Sequence, residues 1–206
     1  MARFGLKSFL YAPLNADKTY GDVTKLAGAI DYKETINTNS HKQYEDDELQ
    51  WEDSGFKDGN LKLTVGDDDE AIFAKLLGRK TKTITVGGEE KTVYVGGSND
   101  IAIPVGFGFV EMFRNKEGIK YGVKFYPSVT FKPYATEGKT AGENKEYSNQ
   151  AVEGTIASVD GEFQYYNRYA TREEAIAVLY GLFGKEVPTA TTEPITPTTE
   201  ETPAGE

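Results

Sequence analysis

From Ile103 onward the apolar residues fall on alternate positions. Ile103, Val105, Phe107 and Phe109 lead, past Glu111, to Phe113; beyond the loop Asn115-Lys116-Glu117-Gly118 the run continues with Ile119, Tyr121, Val123 and Phe125. Tyr126-Pro127-Ser128 reads as a turn, followed by Val129 and Phe131. Period-2 alternation over three runs is the pattern of half-buried antiparallel strands. It predicts a three-stranded meander from Ile103 to Tyr134 with one apolar face, and a polar face carrying Lys120, Lys124, Ser128 and Thr130. An apolar sheet face must be covered by other elements. Two helices are the expected lids, one over Asp68 to Leu77 and one over Thr171 to Phe183.

The first lid opens on the acidic run Asp67-Asp68-Asp69-Glu70, whose carboxylates suit the free N–H groups and positive dipole of a helix start. Ile72, Phe73, Leu76 and Leu77 form its apolar stripe, and Gly78 stands at its C-cap. In the second, Thr171 and Glu174 form a capping box, Ala175, Val178, Leu179, Leu182 and Phe183 the stripe, and Gly184 the stop.

The remaining chain predicts short strands. Phe4 to Tyr11 is a short apolar strand or arm, Asp31 to Ile36 a strand with weak alternation, and Leu61, Leu63 and Val65 a clean one. Asn37 to Asp58 has no helical stripe and reads as the two arms of a long hairpin or loop projecting from the core. It is polar and acidic, with Glu45, Asp46, Asp47, Glu48, Glu52 and Asp53. Thr81 to Val86 and Thr92 to Val95, either side of Gly87-Gly88-Glu89-Glu90, read as a surface hairpin within residues 79–98. Val152, Gly154 and Ile156 resume alternation, and Asp160-Gly161 predicts a tight hairpin turn into Phe163, Tyr165 and Tyr169. Residues 1–184 read as one domain. The Thr, Pro and Glu-rich stretch 185–206 holds too little apolar surface to order itself and is expected to be a linker or disordered end.

Composition narrows the chemistry. The chain has no cysteine, so disulfides, thiolate metal sites and thiol nucleophiles are excluded. The first seven residues carry charge without a sustained apolar run, which predicts no signal peptide, and no stretch reaches the ~18 apolar residues of a spanning helix. A net charge of −10 disfavours ordinary binding to a phosphate backbone. The single histidine, His41, lies in a polar run and reads as solvated. No nucleophile elbow, zinc helix, phosphate loop or dinucleotide fingerprint is present. Gly106-Phe107-Gly108 lacks a third glycine and reads as close packing within a strand. The acidic run at Asp67 lacks the Gly and Glu positions of a calcium loop. The expectation is a non-enzyme without metal or cofactor. Tyr44, Trp51 and Tyr134 are the aromatics from which a sugar platform would be built; core or interface use explains them more simply.

Several motifs together resemble one family. Met1-Ala2-Arg3-Phe4-Gly5-Leu6-Lys7 with Tyr11-Ala12-Pro13-Leu14 is similar to the start of major tail proteins of long non-contractile-tailed phages, the phi13-type family. So are Ala27-Gly28-Ala29-Ile30 followed by Tyr44-Glu45-Asp46-Asp47, and the helix ending in Leu76-Leu77-Gly78. Val105-Gly106-Phe107-Gly108-Phe109 resembles the family as well, running through Tyr121-Gly122-Val123 to Lys132-Pro133 and then Val152-Glu153-Gly154-Thr155-Ile156. The resemblance covers roughly residues 1–170 in order; the 81–97 hairpin, the C-terminal helix and the tail fall outside the common pattern.

The resemblance implies a mainly β fold, a β-sandwich or partly closed barrel of antiparallel strands with a flanking helix. It implies a tail tube subunit, six to a ring, whose stacked rings carry DNA through an acidic lumen during ejection. Six copies at −10 give about −60 per ring, a wall that repels DNA instead of binding it. Glu45, Asp46, Asp47, Glu48 and Glu52 become candidates for the lumen or the ring-to-ring contact, and Phe4, Leu6, Phe9 and Tyr11 for an assembly arm. The implied partners are other copies of the chain, a tape measure protein and a tail terminator. The implied location is the virion tail, assembled in the bacterial cytoplasm, with no membrane partner. The polar face of the meander is then expected to meet the lumen or a neighbour. A free-standing β-sandwich that binds carbohydrate or a cell surface is the alternative.

Overall fold

The structure, a computed structural model, describes residues 2–26, 28–45, 48–66, 69–116, 118–132 and 150–188. Ten strands and two helices are described: β1 (Ala2–Pro13), β2 (Thr24–Lys25), β3 (Ala29–Glu45), β4 (Glu48–Val65), α1 (Glu70–Leu76), β5 (Lys80–Val86), β6 (Glu89–Val95), β7 (Val105–Asn115), β8 (Gly118–Phe131), β9 (Gln150–Ala157), β10 (Tyr165–Tyr169) and α2 (Arg172–Leu182). The fold is mainly β and antiparallel, as the alternation predicts. One sheet runs in the order β2-β1-β7-β8-β9-β4-β3, with β10 added alongside β8; β5 and β6 form a separate two-stranded sheet. The large sheet does not close into a barrel: β2 and β3 are its two ends.

The sandwich arises because β8 serves two limbs. Its first part, Tyr121 to Phe125, pairs with β10 on the side away from β7, while Ser128 to Phe131 pair with β9. The turn expected at Tyr126-Pro127-Ser128 is therefore absent, and β8 continues through it. Opposite β7 the register jumps from Phe107↔Tyr126 to Val105↔Val129, leaving an extra residue on β8. Proline lacks the N–H that a regular ladder uses, and a bulge tolerates it. The bulge also reverses the parity of the buried face.

That reversal corrects the expected one-faced meander. Phe109 stands opposite Lys124, and Val110 opposite Val123, so odd positions of β7 share a face with even positions of the first part of β8. One face contributes Phe107, Phe109 and Tyr126, later joined by Val129 and Phe131, to an inner core shared with Leu61, Leu63, Val152 and Ile156 of the other limb. The opposite face places Val110, Val123 and Phe125 against Ala175 and Leu179 of α2 and the Phe183 that caps it. The β7–β8 part of the sheet is buried on both sides. Each fully buried Phe or Leu in these cores contributes about 1.5–3 kcal/mol.

Both helices start as their sequences dictate. Asp69 accepts from the amides of Ala71 and Ile72, and Thr171 accepts from that of Glu174. Phe73, Leu76 and Leu77 close the inner core at one end. Gly108 lets α2 approach: a Cβ there would lie 2.5 Å from Leu179 Cδ1.

The Asp160-Gly161 turn forms, with both residues at positive φ and a bridge between Val159 and Glu162. The strands on either side do not pair with each other, contrary to the hairpin expectation. β9 belongs to one limb and β10 to the other, so the turn switches the chain between them.

Candidate functional site at the root of the long hairpin

β3 and β4, of 17 and 18 residues, pair along their whole length from Ala29↔Val65 to Glu45↔Glu48. β9 accompanies β4 only from Gly59 to Val65. Beyond Asn37 and Asp58 the two strands pair only with each other among the described residues. At about 3.3 Å per residue, Asn37 to Glu45 spans about 30 Å. A two-stranded ribbon of that kind is marginal alone, so its direction is set where it leaves the sandwich.

At that root the interior turns polar. Tyr32, Glu34 and Ile36 stand opposite Leu63, Leu61 and Gly59, which puts Glu34 at an inward, apolar-phase position. Lys124 donates to Glu34 Oε2, and Gln164 Nε2 donates to Glu34 Oε1 at 2.7 Å. The Lys124 and Glu34 side chains are only 13% and 14% exposed. Lys124 Nζ also lies 5.4 Å from the Tyr32 ring centroid, while the Tyr32 hydroxyl donates to the fully buried Glu111. Burial, and then the negative charge of Glu34, push the Tyr126 hydroxyl well above its ordinary range, so it is neutral here. Phe56 stacks on Phe163 with centroids 4.1 Å apart, and Asn37 donates to Asp58 across the last rung. The network joins β3, β8 and the β9–β10 connection.

The polar face expected to meet a lumen or neighbour is therefore split by the bulge, with Lys120 and Lys124 on one side of β8 and Ser128 and Thr130 on the other, and none of the four is fully exposed. Lys124 is an internal ion-pair partner and Ser128 is buried. None of the acidic candidates among the described residues is gathered into this site. Glu45 and Glu48 are backbone register partners at the far end of the ribbon, as are Glu52 and Lys42 farther in. Asp46 and Asp47 lie outside the described residues. The arm candidates divide: Phe9 and Tyr11 are inner-core residues and Leu6 packs against that core, because β1 pairs with β7 along nearly its whole length. An arm freed for assembly would lose that burial. The placement expected of Tyr134 falls outside the described residues, as does 189–206.

Sequence reasoning passed over Glu34 and Gln164, read Glu111 only as a gap in the alternation, and placed Lys124 on an outward polar face. A signal exists for two of them, since Glu34 and Glu111 each occupy an apolar phase, between Tyr32 and Ile36 and between Phe109 and Phe113. A charge in such a phase calls for a buried partner.

Chemically the root is a clamp, with a carboxylate, an ammonium and an amide satisfying one another. Among the described residues no group of three or more His, Asp or Glu side chains is placed to hold a metal, and no helix is long and apolar enough to cross a membrane. A half-open cleft of about 200 Å³, lined by residues including Tyr11, Asp22, Thr24, Lys75 and Ile103, is smaller than the ~300–1,000 Å³ typical of ligand pockets. No protein-family model and no curated protein matches the chain.

Proposed function

We propose that this chain is a tail tube subunit of a long non-contractile-tailed phage. It polymerises as stacked rings, six copies each, into a hollow tube through which DNA passes. The observation that carries the reading is the β3–β4 ribbon, which outruns every other strand of its sheet and is clamped at its root. A ribbon with unpaired edges gains most where copies from neighbouring subunits pair edge to edge around a ring. The net charge of −10 supports the same reading, because a repeated acidic chain makes a wall that DNA does not adhere to. A tape measure protein inside the tube and a tail terminator at its end are the proposed virion partners, with assembly in the bacterial cytoplasm.

Negative-stain microscopy of the purified chain tests the proposal. Long tubes of uniform width are the expected result; a stable monomer that binds glycans would favour the carbohydrate-binding alternative. Lysine substitutions at Glu45, Asp46, Asp47, Glu48 and Glu52 are expected to leave rings assembling and to slow DNA ejection from reconstituted virions. Unchanged ejection would remove these acids from the lumen.

A further inference from the structure

The β5–β6 hairpin stands apart from both cores. It forms its own sheet, and of its residues only Val93 is even half-buried. Its register sorts the side chains cleanly. Lys80, Lys82, Ile84 and Val86 share a face with Val95, Val93, Lys91 and Glu89, while Thr81, Thr83 and Thr85 share the other with Tyr94, Thr92 and Glu90. The first face combines four β-branched aliphatics with three lysines. Val86, Val95 and Ile84 are 58%, 41% and 38% exposed there. Lys91 pairs with Glu89 at 2.6 Å, whereas Lys80 and Lys82 have no carboxylate partner among the described residues.

We infer that this basic, aliphatic face of the β5–β6 hairpin docks on the acidic surface of a second copy of the chain. Charge complementarity selects that occupant. Three lysines against Glu89 give the face +2, so the remainder of a chain of −10 carries −12. Size points the same way. Seven residues per strand make a ribbon about 23 Å long, covering a few hundred Å², well under the ~800 Å² per partner of a stable binary interface. Such a face serves as one part of a composite contact, which a repeating assembly of identical chains supplies. The inference rests on the reading of the chain as a self-assembling subunit and adds a contact that the ribbon does not make.

Two measurements on the full-length protein test it. The triple variant Lys80→Glu, Lys82→Glu, Lys91→Glu and the double variant Ile84→Thr, Val86→Thr alter only exposed positions, and an unchanged melting temperature checks that they fold. In pelleting assays each is expected to raise the critical concentration for polymer about tenfold, and wild-type polymer is expected to weaken with added salt. Wild type and both variants polymerising alike would overturn the docking inference and leave the tube reading standing. A wild type that never polymerises takes both down.

The second measurement uses the absence of cysteine: Val86→Cys labelled with a photo-cross-linker, in polymers mixed from 14N and 15N chains. Mixed-isotope peptide pairs linking residue 86 to another copy are expected. Cross-links confined to one chain, or none, overturn it.

Discussion

Lys124 and Glu34 meet inside the sandwich from strands that are not neighbours in the sheet and lie 90 residues apart in sequence. Their pairing ties the long hairpin to the strand that serves both limbs. A buried pair adds little over an apolar replacement, yet removing one partner strands the other charge. Lys124→Met and Glu34→Leu are each expected to lower the unfolding free energy by about 3 kcal/mol, and the double variant to recover most of the loss. A urea double-mutant cycle measures the coupling; strictly additive losses would show that the two charges do not depend on each other.

Gly78 and Gly184 end their helices at the same φ of +66°, but in different surroundings. A Cβ on Gly78 would lie 2.1 Å from the carbonyl oxygen of Ile101, a backbone atom that cannot swing away, whereas Gly184 has nothing within 4 Å. Gly78→Ala is expected to cost about 3 kcal/mol, from left-handed strain and overpacking together, and Gly184→Asn less than about 1 kcal/mol. Denaturant midpoints of the two variants decide it. Similar losses would mean that strain at φ outweighs the contact with Ile101.

These two sites mark what was legible in the chain. The helix starts at Asp69 and Thr171, the stops at Gly78 and Gly184, the extra hairpin and the long ribbon all follow from local chemistry that a few adjacent residues carry. The face of the 103–134 segment does not. Alternation gives two faces without saying which residues of two strands share one, and the Tyr126–Ser128 bulge shifts the phase by one residue midway. The clamp was hidden for the same reason, since Glu34, Lys124 and Gln164 come together only through tertiary packing.

The bulge has its own pH-sensitive support. The Tyr20 hydroxyl donates to the carbonyl of Pro127 at 3.1 Å, and its ring meets Phe125 and Phe183 edge-on. Burial, with a smaller contribution from Tyr165, raises its pKa from 10 to about 12. Above pH 10 the unfolded chain therefore releases this proton before the folded one does, and stability falls as pH rises from about 10 to 12. Below pH 10 Tyr20 adds no pH dependence. Tyr126, whose pKa burial also raises, acts in the same direction. Tyr20→Phe keeps the ring contacts and is expected to flatten part of the alkaline decline in melting temperature; an unchanged decline would assign it to other groups.

The Phe56–Phe163 stack packs the base of the ribbon against the inner core in a way hydrogen exchange can read. Outboard of Asn37 and Asp58 the strands have only each other, whereas Gly59 to Val65 are held on both sides, by β3 and β9. Removing the stack with Phe56→Ala deletes about 0.5–1.5 kcal/mol of ring–ring interaction beyond the lost burial, where β4 touches the β9–β10 connection. The opening that follows is local because Lys124–Glu34 and the β9 pairing lie inboard of it. Exchange is expected to accelerate in peptides from 37–58 and to stay unchanged in peptides from 59–65. Equal acceleration in both would show that the stack belongs to the cooperative core, and no acceleration in either would show that the ribbon holds its direction without it.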